Sequence, residues 1–293
     1  MTSSTSSRVI TVGRQVAVVA WKPAPSNAPL ALALGGEVLT PVEAYERLMP
    51  GDLALARLDV LPTLDGCEAG LDQLRALARR GVLVLNRPTA LLRAHDKLRT
   101  ARLLARRDVP HPRTVHVRTI DLLLESEPPV VVKPRFGSWG FDVVRCRSRE
   151  ELEACADDLP SRQWFARHGA LVQELLPQPE HDLRVLVATG RVVGAITRLP
   201  APHEWRTNAA LGGVRLSAEV PPRAAELACQ AVAAIGGDMM EVDLIPVGDG
   251  YVVLELNGAA DFDALYSQQG RDVYAELAAA LLDHSSEVSG RGR

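Results

Sequence analysis

Cysteine is scarce in this 293-residue chain: there are four, Cys67, Cys146, Cys155 and Cys229, and no two form a CxxC pair. No histidine stands at zinc-ligand spacing from them, so they read as reduced, mostly buried thiols rather than a zinc site or a disulfide framework. An excess of charge of one sign is missing too. The 33 basic and 36 acidic residues leave a net charge of −3, which argues against a general nucleic-acid binder. No apolar run approaches the roughly 20 residues that span a bilayer. Arg8 and Arg14 precede an apolar stretch from Val16 to Trp21 that is too short for the core of a secretion signal. Together these absences point to a cytoplasmic protein with no membrane or nucleic-acid partner. Internal repeats, extended low-complexity segments and the GK[ST] ending of a Walker A loop are also lacking, and no Ser/His/Asp or Cys/His set is arranged for nucleophilic catalysis. Met1 to Ser7, rich in Ser and Thr, are expected to be disordered.

What is present is an α/β rhythm. Hydrophobic residues make up 47% of the chain, enough for a sizeable core, and apolar β-like runs alternate with amphipathic helical stretches. Gln15 to Trp21 reads as a first strand. Leu71, Leu74 and Leu77 share one face of a helix from Gly70 to Arg80, and Val82 to Leu85 reads as a buried strand. A small parallel α/β lobe is therefore expected over residues 1–87. A basic helix from Lys97 to Arg107, stopped by Pro110 and Pro112, belongs to a central unit, 88–172. Its strands are expected at Thr114 to Val117, Val130 to Lys133 and Phe141 to Arg145, and Ser148 caps a helix reaching about Asp157. The last unit, 173–293, reads as mostly strand. Ala170 to Leu175, Leu183 to Ala188 and Val192 to Arg198 are followed by a helix, Pro222 to Ile235, that Gly236-Gly237 stops. Val242 to Ile245 and Tyr251 to Leu256 then pair through a turn at Gly248-Asp249-Gly250.

The most informative residues lie on that last strand pair. Side chains alternate along a strand, so Glu255 and Asn257 share a face, while Val242 and Leu244 turn to the core and leave Asp243 on the other side. Two carboxylates and an amide oxygen close together are hard ligands that suit Mg²⁺. The alternative is a pair of solvated acids on an exposed hairpin, but Glu255 sits inside an apolar run where an unpaired acid is costly. Lys133 ends a β-run and leads into a loop with Gly137 and Gly140, a pattern that suits phosphate as well as a plain hairpin. Glu174 ends a strand where an adenine amino group could be received. Asp182 and Arg184 share a face, and Arg198, Arg206 and Asn208 follow. Arginines converging there suit phosphate or carboxylate, or else form a salt-bridged surface.

The order of these features resembles the ATP-grasp superfamily. Within it the chain looks like the family of the ligase that adds glutamate to a small-subunit ribosomal protein and of the amino-carrier-protein ligases of lysine and arginine biosynthesis. The matching runs are Asp96-Lys97-Leu98, Lys133-Pro134-x-x-Gly137-Ser138-Trp139-Gly140, Gln173-Glu174, Asp182-Leu183-Arg184-Val185, Trp205-Arg206-Thr207-Asn208, Gly212-Gly213, Val242-Asp243-Leu244 and Glu255-Leu256-Asn257. They extend from about Asn86 to about Leu282.

The resemblance implies an ATP-grasp fold, α/β (α+β), with an N-terminal parallel lobe, a small central α+β lobe and a mainly antiparallel C-terminal lobe, ATP lying between the last two. It implies that Lys97 and Lys133 contact phosphates under the loop Gly137, Ser138, Trp139 and Gly140, and that Glu174 and Leu175 flank adenine. Asp182 would hold the ribose, and Arg206 and Asn208 would sit near the γ-phosphate. Asp243, Glu255 and Asn257 would hold Mg²⁺, with Mn²⁺ as an alternative, and Arg184 and Arg198, with Asn208, would meet the substrate. Arg184, Arg206 and Asn208 are then the candidate catalytic residues. The activity implied is ATP-dependent ligation of a carboxylate to an amine through an acyl-phosphate. An amino acid such as glutamate would be one partner, a small molecule or carrier protein the other, and the enzyme a dimer or tetramer. Another ATP-grasp reaction, such as phosphoryl transfer, and a non-catalytic nucleotide-binding module are the alternatives. After Asn257 this chain reads Gly258-Ala259-Ala260-Asp261-Phe262, unlike either branch of the family, so the acceptor amine is the least transferable feature.

Overall fold

The computed structural model describes residues 14–290 apart from 22–23, 178–180, 260 and 269. The expected disorder of Met1 to Ser7 lies outside the described residues. The chain begins with β1 (Val16–Val19), α1 (Asn27–Ala33), β2 (Glu37–Leu39), α2 (Pro41–Arg47), β3 (Leu53–Ala56), α3 (Leu71–Arg79) and β4 (Leu83–Leu85). The strands form a parallel sheet in the order β2-β1-β3-β4. Strands β1 and β3 read VAVV and LALA and are buried throughout, as expected of parallel strands covered on both faces. Helix α2 starts on a capping box, in which the Thr40 hydroxyl and the Glu43 carboxylate satisfy each other's backbone N–H.

Helices α4 (Pro88–His95) and α5 (Lys97–Ala105) follow, then β5 (Thr114–Val117), α6 (Ile120–Leu124), β6 (Val130–Pro134), β7 (Val144–Cys146), α7 (Arg149–Asp158), α8 (Gln163–His168) and β8 (Ala170–Glu174). Four of these strands make an antiparallel sheet, β5-β8-β6-β7. Strand β8 spans the expected boundary at 172–173, and the chain changes sheet between Glu174 and Asp182. The strand expected from Phe141 begins only at Val144. Trp139, Gly140 and Asp142 all have positive φ, which a strand does not allow, and the Asp142 carboxylate accepts Trp164 Nε1–H at 2.7 Å. Leu64 of the first lobe is buried in this second lobe's core beside Val117, Trp164 and Phe165.

The remainder comprises β9 (Asp182–Ala188), β10 (Arg191–Leu199), β11 (Val214–Ser217), α9 (Pro222–Ile235), β12 (Met239–Val247), β13 (Gly250–Asn257) and α10 (Val273–Gly290). Its sheet is antiparallel, β11-β10-β9-β12-β13. Thr189 and Gly190, both at positive φ, turn β9 into β10, as a two-residue hairpin turn requires. One sheet face carries Leu183, Val185, Val242, Leu244 and Val253 into a core with α9 and α4. The opposite face is apolar at one end only, where Leu186, Ala188 and Met239 meet Phe262, Tyr266 and α10. Further along the same strands, two residues at a time, that face becomes Arg184 and Asp182 on β9, and Glu241 and Asp243 on β12. Among the described residues no helix is long and apolar enough to cross a membrane.

Candidate active site

The charged half of that sheet face forms a floor. Asp243 pairs with Glu255 across β12 and β13, and Glu241 with Asn257. A bulge follows at once: Leu244 opposes Val253, so Leu254 is an extra residue that re-aims the end of β13. Asp243 Oδ1 accepts from Arg184 Nε at 2.6 Å, and Oδ2 accepts from Arg184 Nη2 and Arg198 Nη2, each at 2.8 Å. Burial alone would push this carboxyl up. The two guanidinium groups outweigh it and hold Asp243 well below the usual carboxylate range. Arg198 also clasps Asp182 through Nε and Nη2, at 2.8 and 2.5 Å. Arg184 Nη1 lies 3.1 Å from Glu241, whose carboxyl burial pushes up against the pull of Arg184.

Two lysines rise over this floor. The Lys97 ammonium lies 3.2 Å from Glu255 and donates to the Gly137 carbonyl. Lys133, 4% exposed, is pushed down to about 8 by burial and by the charge of Lys97, against the pull of Glu255 and Asp243. The loop from Gly137 to Val143 is tied to the C-terminal lobe by Arg206, whose Nη1 donates to the Gly140 carbonyl at 2.7 Å. Glu204 orients Arg206 through Nε and Nη2, at 3.0 and 2.8 Å, and these bonds pull its carboxyl down to about 2. At Gly140, φ is +76° and a Cβ would stand 2.5 Å from Asn208 Oδ1; only glycine fits.

Two cavities meet here. The first, about 1040 Å³, lies between the central and C-terminal sheets. Every expected nucleotide contact except Trp139 lines it, and so do Arg198, Asn208, Asp243 and Glu255. The second, about 1410 Å³, is lined by Trp139, Arg184 and Asn257, and by Pro25 and Asp59 of the N-terminal lobe. The two share Ser138, Arg198, Asn208 and Glu255.

Several expected groups already have protein partners. Asp182, expected at the ribose, gives its oxygens to Arg198 and the Thr207 hydroxyl. Glu174 accepts the Arg113 N–H at 2.8 Å. Arg184 and Arg198, expected to face substrate, face Asp243, Asp182 and Glu241. Their forks keep N–H groups to spare, since a guanidinium has five donors.

The donor set fits a hard cation. A carboxylate offers about four lone-pair sites. Asp243 uses three of them, Glu255 meets Lys97 through Oε2 alone, and Asn257 Oδ1 accepts one bond, from Ala259 N at 2.9 Å. Each donor thus keeps acceptor capacity on the same face.

Sequence reasoning missed Glu241, Glu204 and the N-terminal contribution of Ser26, Arg57 and Asp59. Glu241 could have been found, because it precedes Asp243 by two in a strand; the others leave no local signal.

A cleft clasped between two β-lobes is the architecture of the ATP-grasp ligases. Three solved structures share it: a RimK-domain ATP-grasp protein from Sphaerobacter thermophilus (TM-score 0.66, 23% identity, 90% of this chain and 98% of that one), D-cycloserine synthetase (0.67, 18%, 92% and 99%) and D-alanine–D-alanine ligase from Bacillus anthracis (0.65, 15%, 96% and 99%). Residues 94–281 match the RimK-like ATP-grasp domain, and the chain belongs to that family. It is similar to a probable alpha-L-glutamate ligase of Serratia proteamaculans, 30% identical over 257 residues, 82% of this chain and 84% of that one. It is also similar to the ribosomal protein bS6–L-glutamate ligase of Salmonella paratyphi B, 28% identical over 270 residues, 85% and 87%. The chain is thus an ATP-dependent ligase that joins a carboxylate to an amine, in a family that uses ATP with Mg²⁺.

Proposed function

We propose that the first cavity takes ATP, that a carboxylate is activated where the two cavities meet, and that an amino acid held in the second cavity supplies the amine. L-Glutamate is the first candidate, and the other partner is a small molecule or a carrier protein or peptide. The observation that supports this is the shared wall of Ser138, Arg198, Asn208 and Glu255, through which the two cavities adjoin. In this reading Glu174 and Leu175 flank the base, and Lys97, Lys133 and Arg206 balance the phosphates. Arg184 and Arg198 turn their spare N–H groups to the substrate carboxylate and Asn208 stands beside it. Asp243, Glu255 and Asn257 would hold Mg²⁺, or Mn²⁺ in its place, which when bound neutralises charge developing on the transferring phosphoryl group. The carboxylate attacks the γ-phosphorus, giving an acyl-phosphate and ADP, and the protein contributes positioning and fixed charge. The loop at 137–143, held down by Lys97 and Arg206, excludes water from the acyl-phosphate. Action in the cytoplasm as a dimer or tetramer, without nucleic acid, completes the proposal, as does a division into three units whose second boundary falls after Glu174 rather than at 172–173.

The test is phosphate release from ATP and Mg²⁺ with a panel of amino acids and carboxylates, each positive mixture being examined by mass spectrometry. Release that depends on one pair, with an amide of the summed mass less water, is expected. ATP binding without amino-acid-dependent release in any mixture, with or without added carrier, would remove the ligase reading.

A further inference from the structure

The amine half of the reaction needs a group the nucleotide half does not. An amine enters as an ammonium and must lose a proton before its nitrogen has a lone pair to give. Three carboxylates line the second cavity, Asp59, Glu255 and Asp261, and Asp261 is an exposed one anchored from the N-terminal lobe. Asp261 follows β13 and lines that cavity with Arg184, Asn257 and Tyr266. Its Oδ1 is fixed by two donors from the N-terminal lobe, the backbone N–H of Ser26 at 3.1 Å and the Ser26 hydroxyl. Ser26 is fully buried, and its Oγ in turn accepts from Arg57 Nη2 at 3.0 Å. Arg57 is buried as well and lies over the Phe262 ring, 5.2 Å from its centre. A chain of contacts across the two lobes thus sets the angle of one carboxylate oxygen. Among the described residues no donor meets the other oxygen, Oδ2. Arg57 and Tyr274 feel the charge of Asp261, and Asp59, Arg184, Arg215 and Glu255 line the same cavity.

We infer that Asp261 is a catalytic residue of the amine-transfer step, binding the incoming primary ammonium and taking its proton at Oδ2. This rests on the ligase reading above. As the proton passes to Asp261, the nitrogen lone pair forms the C–N bond to the acyl carbon. The bond from that carbon to the phosphate oxygen then breaks, and phosphate leaves with the electron pair. A second nitrogen proton goes to the departing phosphate, and Asp261 returns its own to solvent. Ser26 and Arg57 act through Asp261 and are positioning residues.

Hydroxylamine separates the two halves of the reaction. It is small and uncharged at neutral pH, so it traps an acyl-phosphate as a hydroxamate without an ammonium to recognise or deprotonate. Asp261→Asn keeps an oxygen for both Ser26 donors and so preserves the contact between lobes. With ATP, Mg²⁺ and the carboxylate found in the panel, this variant is expected to form hydroxamate within about twofold of the wild-type rate. Amide formation with the amine substrate should fall by about 100-fold or more, in the range a general base supplies. Ser26→Ala should show a smaller loss of the same kind, and thermal melting with ADP should report an intact fold in both. Amide and hydroxamate rates both near wild type in Asp261→Asn would overturn the inference while leaving the ligase reading in place. Equal losses of both would make Asp261 a structural residue and overturn it too. Wild-type protein that forms no hydroxamate with any carboxylate would remove the ligase reading, and this inference with it.

Discussion

Lys133 is a buried cation that, among the described residues, has no counter-ion dedicated to it, and this should be visible as a stability cost. Folding lowers its pKa from 10.5 to about 8, because burial and Lys97 disfavour the ammonium more than Glu255 and Asp243 favour it. At 4% exposure solvent does little to screen this. The difference corresponds to about 3 kcal/mol at any pH well below 8. The sign follows from proton counts. Between pH 8 and 10.5 the unfolded chain binds more protons at this lysine than the folded one, so its contribution to stability rises with pH across that window. Lys133→Met keeps the aliphatic stem and removes the charge. At pH 7 the variant should therefore be more stable than wild type by about 3 kcal/mol, or about 5 °C in Tm for a chain of this size. The gap should close between pH 8 and 10.5, and ATP with Mg²⁺ should raise the Tm of wild type alone. Calorimetry of both proteins across that range measures it. A variant that melts below wild type by the same margin at every pH would refute the argument, because it would show that Lys133 stabilises the fold rather than waiting for phosphate.

Three further outcomes follow from the same geometry. Asp243→Asn leaves Arg184 and Arg198 facing each other with less anion between them, so urea unfolding should show a loss of about 3–5 kcal/mol, together with loss of ATP turnover; wild-type turnover would count against its place at the phosphates. Since the folded pKa of Asp243 is depressed, its contribution to stability is full at neutral pH and is lost as pH falls through the carboxylate range. Arg206→Ala removes charge-assisted bonds to the loop, so amide exchange at 137–143 should quicken and the KM for ATP should rise by about tenfold or more; unchanged exchange would show that the loop is held by something else. Ser148→Ala deletes the cap of α7, where Ser148 Oγ accepts the Glu151 N–H at 3.3 Å, and should cost about 1 kcal/mol with turnover intact.

What is legible in the sequence is whatever repeats over a few residues. The period of two, with the turn at Gly248-Asp249, sets β12 against β13 and brings Asp243 opposite Glu255. The helices after Gly70, Ser148 and Pro221 are equally plain, each marked by a cap or a breaker. The loop at 139–142 reads as the approach to a strand because its left-handed residues include Trp139 and Asp142, which nothing local marks as such. The partners of Arg184 and Arg198 are out of reach for another reason. A guanidinium suits substrate and protein carboxylates equally, and only the register of β9 against β12 says that Asp243 stands beside Arg184. Ser26 and Asp261 meet across 235 residues, and no pattern in a single chain records such a contact.

The sheet face that carries the floor also binds the N-terminal lobe, and the join between its two halves offers a sharper test than either. Gly194 on β10 opposes Leu186, at the apolar side of that join. A Cβ there would stand 2.4 Å from the Tyr266 carbonyl and 3.0 Å from its Cβ. The Tyr266 segment would have to retreat from the sheet, at about 1–3 kcal/mol. Tyr266 lines the second cavity but not the first, and it lies five residues from Asp261. Gly194→Ala should therefore lower Tm and reduce amide formation more than hydroxamate formation, with the KM for ATP nearly unchanged. If instead both products fall together with a rise in the KM for ATP, the two halves of the sheet face move as one body, and the division between a nucleotide half and an amine half fails.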